Sequence, residues 1–213
     1  AALRFRNEPD IACLQARLVI DNGRRNWLTA LFAGEYAGLF MVLLPALARW
    51  RLPMPLGGTS NHFRLGVLRE LGGWDAYNVT EDADLGMRLA RRRLRVEMLA
   101  SATCETAPAQ FLPWIGQRTR WMKGWMQTFI VHNRDPGRLA AEMGLPATLA
   151  FEALVLGMII APILHCGFAL VLLIRWASGA AEFNGAVWTT LYLAMLALGY
   201  GSALAMTARG LSR

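Results

Sequence analysis

The sequence predicts an α/β domain followed by membrane helices. Three observations carry that expectation. Strand-like and helix-like patterns alternate along residues 1–148, which argues for an α/β fold. Charge is concentrated in the same part, which holds 19 of the 22 Lys and Arg residues and 13 of the 15 Asp and Glu residues. Residues 149–213 then carry two apolar runs of the length that crosses a bilayer.

The elements follow in order. Ile11-Ala12-Cys13-Leu14-Gln15-Ala16-Arg17-Leu18 alternates and reads as a strand. Trp27 to Trp50 is a long apolar stretch interrupted by Glu35 and Pro45. Those interruptions favour a helix lying at the membrane interface or packed in the domain over a span. Pro53 to Asn61 is a loop with a glycine pair, and Leu71-Gly72-Gly73-Trp74-Asp75 is a turn. Asn78 and Glu81 stand three apart, as in a capping box, and open a helix that runs to about Arg93. Leu94 to Leu99 reads as a strand. Pro113 to His132 reads as a helix with Trp114, Arg118, Trp121, Trp125 and Phe129 on one stripe.

Leu149 to Ile174 is apolar apart from Glu152 and His165, and Ala186 to Ala208 carries no charge. Both are expected as transmembrane helices, about 149–174 and 186–208, with Pro162 a tolerated kink in the first. Arg134 and Arg138 precede the first run, and Arg209 and Arg213 follow the second. The positive-inside rule therefore places residues 1–148 and the C-terminus in the cytoplasm.

Composition narrows the function. The chain has 213 residues, 55% hydrophobic and 17% charged, with mean hydropathy +0.31. A soluble domain carries about 25% charged residues, so this chain is too apolar to be wholly soluble and too charged to be all membrane. The net charge is +7, from 21 Arg and one Lys against 15 acids. A positive excess suits nucleic acid, a membrane surface or an anionic substrate. No nucleic-acid-reading signature is present, so nucleic acid is not expected as a partner. Cys13, Cys104 and Cys166 are widely spaced without a C-x-x-C pair. They fit a reducing compartment, with neither a disulfide framework nor a zinc site.

Two motifs carry chemistry. Thr80-Glu81-Asp82-Ala83-Asp84 opens a helix with three carboxylates in four residues. Acids in a first turn complement the helix dipole; the same carboxylates could instead supply a general base at a loop–helix junction. In Gln117-Arg118-Thr119-Arg120-Trp121, Gln117, Arg120 and Trp121 fall at i, i+3 and i+4 and share a face. An arginine matches phosphate oxygens, and an indole ring offers a flat face to a sugar. The alternative is an interfacial helix anchored to lipid headgroups by Trp and Arg.

Together, and in this order, the two motifs give the chain a specific likeness. It resembles the membrane-embedded processive family 2 glycosyltransferases, the group of cellulose, chitin and hyaluronan synthases. The residues that carry the likeness are Thr80-Glu81-Asp82 and Gln117-Arg118-Thr119-Arg120-Trp121, with an apolar interface stretch before them and membrane helices after. The resemblance implies a partial GT-A domain with interfacial helices over residues 1–148, the acceptor-side part of a cytoplasmic catalytic domain. It is followed over 149–213 by the two membrane helices, in a multi-pass protein of a bacterial-type inner membrane.

The resemblance also implies roles. Asp82 matches the aspartate that deprotonates the acceptor hydroxyl in an inverting transfer, and Glu81 its supporting neighbour. Thr80, Gln117, Arg118, Arg120 and Trp121 match the blocks that hold the donor diphosphate and stack the acceptor sugar. The loop bearing Gly58, Thr59 and Ser60 falls where the family's acceptor-contacting loop lies. The implied partners are a nucleotide diphosphate sugar, foremost a UDP-sugar, a growing polysaccharide and membrane lipid. The family also uses Mg²⁺ or Mn²⁺ on a D-x-D motif. No D-x-D precedes Thr80, and Asp82-Ala83-Asp84 belongs to the base block. The ligands are therefore expected upstream of Ala1, and no metal site is expected in residues 1–213. The opening Ala1-Ala2-Leu3-Arg4, without a signal-peptide pattern, agrees with a fragment of a longer protein, inactive alone. Two other readings stand beside this one: a membrane-anchored module without catalysis, and a non-processive lipid-linked sugar transferase.

Overall fold

The computed structural model describes residues 1–179 and 186–212. A three-stranded sheet lies at the centre, with order β2-β1-β3. β1 (Ile11–Ile20) pairs in parallel with β3 (Arg95–Glu105), Ile20 opposite Glu105, and antiparallel with the short β2 (Asn61–Phe63), Cys13 opposite Phe63. β1 is the central strand, so Ile11 to Ala16 are all buried. The alternation expected for this strand is overridden because layers cover both of its faces. β3 is also longer than the expected 94–99.

Helices α1 (Ala2–Asn7), α4 (Leu65–Glu70) and α7 (Pro136–Met143) are short. α2 (Trp27–Gly38) is N-capped by Asn26 in a reciprocal box with Thr29. A five-residue π-helical turn, Leu39–Leu43, joins it without a break to α3 (Leu44–Arg49). Pro45 therefore does not interrupt this helix, contrary to expectation. The proline has no N–H to donate, and the wider turn directly before it relaxes the local ladder. Phe40, Leu44 and Leu47 pack against Ala12, Cys13 and Leu18 of β1 in the main apolar cluster. The 27–49 helix is thus packed in the domain along one side, as expected.

α5 (Glu81–Arg91) and α6 (Phe111–His132) form the second layer. Ala83 and Met87 of α5 meet Trp125 of α6, Leu139 and Met143 of α7, and Phe151 of α8 in a second cluster. α8 (Leu145–Ala177) is one continuous helix of 33 residues with Pro162 inside it. It begins four residues before the expected span and presents a largely exposed apolar surface beyond residue 157, Ile163, Leu170 and Leu173 among it. By length and composition, Trp27–Arg49 and Leu145–Ala177 are long and apolar enough to cross a membrane, a test that a buried core helix also passes.

α9 (Ala186–Leu211) covers the second expected span. It does not stand apart from the domain: Thr207 lies against Gly34, Met206 against Gly38, and a side chain at Gly210 would overlap the Ala37 carbonyl. Small residues let α9 and α2 approach to backbone contact. Of the link expected at 177–185, residues 180–185 lie outside the described residues.

Candidate functional site

The site is built outward from a buried glutamine in β1. Gln15 has no solvent exposure, and a buried amide is costly unless it is bonded. Its Oε1 accepts from the Gly57 amide at 2.8 Å, and its Nε2 donates to the Thr59 carbonyl at 3.1 Å and the Ala16 carbonyl at 2.8 Å. Asn61 Nδ2 donates to the Gly57 carbonyl at 2.6 Å, and the Ala16 amide to the Ser60 carbonyl at 3.0 Å. The 57–61 loop is therefore fastened to the sheet at both ends. Ser60 is held at φ 60, and its hydroxyl bonds that of Thr103, while the Thr59 hydroxyl donates to Glu105 Oε1 at 3.0 Å. Both hydroxyls expected at an acceptor are thus engaged by β3.

This loop brings Gly58 to Asp82. A Cβ on Gly58 would lie 3.4 Å from Asp82 Oδ2, so the absence of a side chain keeps that oxygen open. Asp82 Oδ1 accepts from the Ala83 amide at 2.7 Å, and no cation pairs with the carboxylate among the described residues. Burial pushes the Asp82 carboxyl up to about 6, the charge of Glu81 adds to the rise, and the Ala83 amide pulls against it. Glu81 itself is half-buried without a side-chain bond among the described residues.

The expected capping box is not formed. Thr80, not Asn78, is the N-cap, and no side chain caps the helix. Asn78 Oδ1 instead accepts from the Thr80 amide at 3.0 Å and hydroxyl at 3.2 Å, while its Nδ2 donates to Thr128 Oγ1 of α6 at 2.9 Å. The asparagine closes an Asx turn and ties the base block to α6, so Glu81 is left free of capping. Gly124 of α6 sits directly on Thr80, where any side chain would overlap it.

Asp84 is closed off. It is buried, bonded by Arg88 Nε at 2.8 Å and by His132 Nε2 at 3.0 Å. Burial works to raise its carboxyl, but His132, through its bond and its charge, together with Arg88 outweighs it and holds Asp84 below the ordinary carboxylate range. Asp82-Ala83-Asp84 thus has D-x-D spacing but only one open carboxylate. Among the described residues no three His, Cys, Asp or Glu side chains are arranged to hold a metal ion. The residues present therefore do not fit Mg²⁺ or Mn²⁺.

α6 carries the second motif, beginning two residues before the expected Pro113. Arg118 pairs with Glu35 of α2 and lies over three rings: Phe32 at 5.0 Å, Trp114 at 5.3 Å and Trp121 at 5.0 Å. The arginine that meets Trp121 is therefore Arg118. Arg120 is exposed and has no side-chain partner among the described residues. Trp121 is half-buried, 6.0 Å from Phe32, and packs on the Ala83–Met87 cluster. Gln117 Oε1, Arg118 Nε and Trp114 Nε1 are buried without hydrogen bonds, a row of unspent polar atoms along one helix. The face shared by Gln117, Arg120 and Trp121 is thus split between solvent and the α2 contact.

Residues absent from the sequence reading complete the site. Burial pushes the Tyr36 hydroxyl well above the ordinary phenol range, the charges of Glu105, Asp82 and Glu35 add to the rise, and Arg118 opposes it. Gln15, Glu35 and Tyr36 were visible only as polar residues within apolar runs; Glu105 gave no sequence signal, because what places it is the parallel pairing of β3 with β1, Glu105 opposite Ile20.

Comparison with known proteins identifies a family. The sequence pattern described as glycosyl transferase family group 2 matches residues 1–205. The "Probable glycosyltransferase YdaM" of Bacillus subtilis (strain 168) is 31% identical over 77 residues, 36% of this chain. The chain covers 18% of that relative's length.

Proposed function

Because the chain belongs to glycosyl transferase family group 2, whose members join a nucleotide-sugar donor to an acceptor, we propose that the whole protein extends a polysaccharide at a membrane, one hexose at a time, from a UDP-sugar. The acceptor hydroxyl oxygen attacks the anomeric carbon, and the bond from that carbon to the diphosphate oxygen breaks with inversion. Asp82 takes the hydroxyl proton, and the electron pair leaves with the nucleoside diphosphate. A sugar hydroxyl is a weak nucleophile, so the transfer needs a base within reach. Growing charge on the leaving diphosphate needs a cation, for which Arg120 is free. Trp121 stacks the acceptor end, and the Gly58–Ser60 loop forms the opposite wall. Residues 1–148 act as the cytoplasmic acceptor-side part of the catalytic domain, with 149–174 and 186–208 in the membrane.

The observation that supports this reading best is the Asp82 carboxylate. It is raised by burial to about 6, unpaired with any cation among the described residues, and open toward a glycine. At pH 7 such a group is ionised and close in basicity to its task. The test offers UDP- and GDP-sugars to the whole protein in membranes and compares two variants at matched protein levels. Arg120→Ala is expected to weaken UDP binding about tenfold or more, the value of a charge-assisted bond. Trp121→Ala is expected to keep UDP affinity and shorten the product. Identical profiles for the two variants refute the assignment on α6, and no transfer from any nucleotide sugar refutes the function.

A further inference from the structure

We propose that a cavity between the end of α3 and the start of α8 binds the phosphate headgroup of an anionic membrane lipid, with Arg51 and Arg93 as its cationic rim. The inference rests on the reading of α8 as a membrane span.

It starts from two helix ends. α3 closes with Leu52 N–H donating to the Leu47 carbonyl at 2.9 Å and Arg51 N–H to that of Ala48 at 3.0 Å. α5 closes identically, Leu94 N–H to Leu89 at 3.0 Å and Arg93 N–H to Ala90 at 2.8 Å. This pair of hydrogen bonds goes with a left-handed residue, a place where glycine is the ordinary occupant. Here the places are held by Arg51 and Arg93, each at φ 54. A side chain is disfavoured there, yet both arginines line the same cavity of about 470 Å³.

The floor of the cavity is apolar, formed by Leu52, Met54, Leu94 and Met143, and Ala147 on the first turn of α8 closes one side. The cavity therefore lies where one apolar helix, Trp27–Arg49, ends and the other, Leu145–Ala177, begins. Beside it Trp50 is 68% exposed, and tryptophan is the kind of residue found at a membrane–water boundary, while Leu145, 65% exposed, opens the apolar helix. Of the charges facing the cavity, Arg95 is taken by Glu8, Asp10 and Glu97. Arg93 gives its Nε and Nη2 to the carbonyls of Glu142 and Ala141 and keeps Nη1 unbonded among the described residues. Arg51 makes no side-chain hydrogen bond or ion pair among them, although its charge reaches Asp10.

Open guanidinium donors above an apolar floor suit a phosphate that carries an apolar tail. Basic pockets beside membrane helices take anionic lipid headgroups for the same reason. A soluble phosphate would use the donors and leave the floor empty. The competing role is a helix cap alone, a positive charge at a C-terminus.

Glycine separates the two roles. The whole protein is reconstituted in phosphatidylcholine vesicles with trace spin-labelled phosphatidylglycerol or spin-labelled phosphatidylcholine, and the motionally restricted fraction of each label is measured. The wild type is expected to restrict phosphatidylglycerol in preference. Arg51→Gly is expected to cut that preference about fivefold, the effect of one arginine near a surface, while raising the thermal midpoint because glycine fits φ 54. Arg25→Gln, the same charge loss at the opposite end of the 27–49 helix, is expected to change nothing. An unchanged preference in Arg51→Gly, or an equal loss in Arg25→Gln, overturns the proposal. Full displacement of the label by glycerol 3-phosphate overturns the lipid and leaves a soluble-phosphate site. The assay reads no sugar transfer, so the transfer reading and this one fail separately; a protein that alkaline carbonate washes from membranes ends this one.

Discussion

Replacing Asp82 by Asn is expected to make the protein inactive and, at neutral pH, more stable. The folded carboxyl titrates at about 6, against an ordinary value of 3.8. Between those values the folded chain binds a proton that the unfolded chain has released. The group therefore favours folding at acid pH, and that advantage is lost as pH rises through 6. Fully ionised, a carboxylate moved this far costs up to about 3 kcal/mol. Asp82 is only partly buried and solvent screening reduces the figure, so a gain of about 1–2 kcal/mol is expected from the isosteric amide. Thermal unfolding of both proteins at pH 7.5 and pH 5 reads this directly: the variant's lead should be widest at pH 7.5 and about half as large at pH 5, inside the window between the unfolded 3.8 and the folded value of about 6. Activity should fall about 10²–10⁴-fold, the contribution of a general base. Wild-type kcat/KM should rise with pH, with a midpoint near 6. An active Asp82→Asn protein, a variant less stable than wild type at pH 7.5, or a flat rate between pH 5 and 7 would each refute the reasoning.

Two further predictions concern the frame around the base. Gly124→Ala places a methyl group on Thr80, so α6 must lift from the base block; overpacking of this kind costs about 1–3 kcal/mol. Activity should fall with stability in denaturant titration, and a variant as stable and active as wild type would show that α6 does not set the block's position. Asp84→Asn removes a buried carboxylate from Arg88 and His132, and breaking a buried pair costs about 3–5 kcal/mol. The folded Asp84 carboxyl lies below its ordinary 3.8. Its contribution is therefore present above that pH and lost as pH falls through the lower folded value. The stability gap between wild type and Asp84→Asn should be wide at pH 7 and close on acidification below about 4; a gap independent of pH contradicts the assignment.

Much of this molecule is local and was legible along the chain. The strand at Ile11, the helix ending at His132 and the long apolar helix expected from Leu149 follow from pattern over neighbouring residues, and a helix opening near Glu81 was expected from its acidic first turn and a cap at Asn78. The order of the two motifs was enough to suggest the family. Where the local reading failed, a partner elsewhere had changed the outcome. Asn78 looked like a cap, but Thr128, 50 residues away, takes its amide. Pro45 looked like a break, but a π-helical turn and the packing of Phe40 and Leu44 on β1 carry the helix through it. Arg120 and Trp121 looked like one face, but Glu35 draws Arg118 onto the tryptophan instead.

The carboxylates divide the same way. Their presence in a first turn is a property of the sequence, whereas the difference between Asp82 and Asp84 is not. Both are two bonds from similar backbone on one helix. Only the fold sets Gly58 against the first, leaving an oxygen open in a dry setting, and His132 and Arg88 against the second, neutralising it. A carboxylate's chemistry depends on what stands within a few ångströms of it: Arg88 is a local neighbour four residues along the helix, but Gly58 and His132 come from 24 and 48 positions away in the chain. The types of the reacting groups were thus written in the sequence, and their selection was made by tertiary contact.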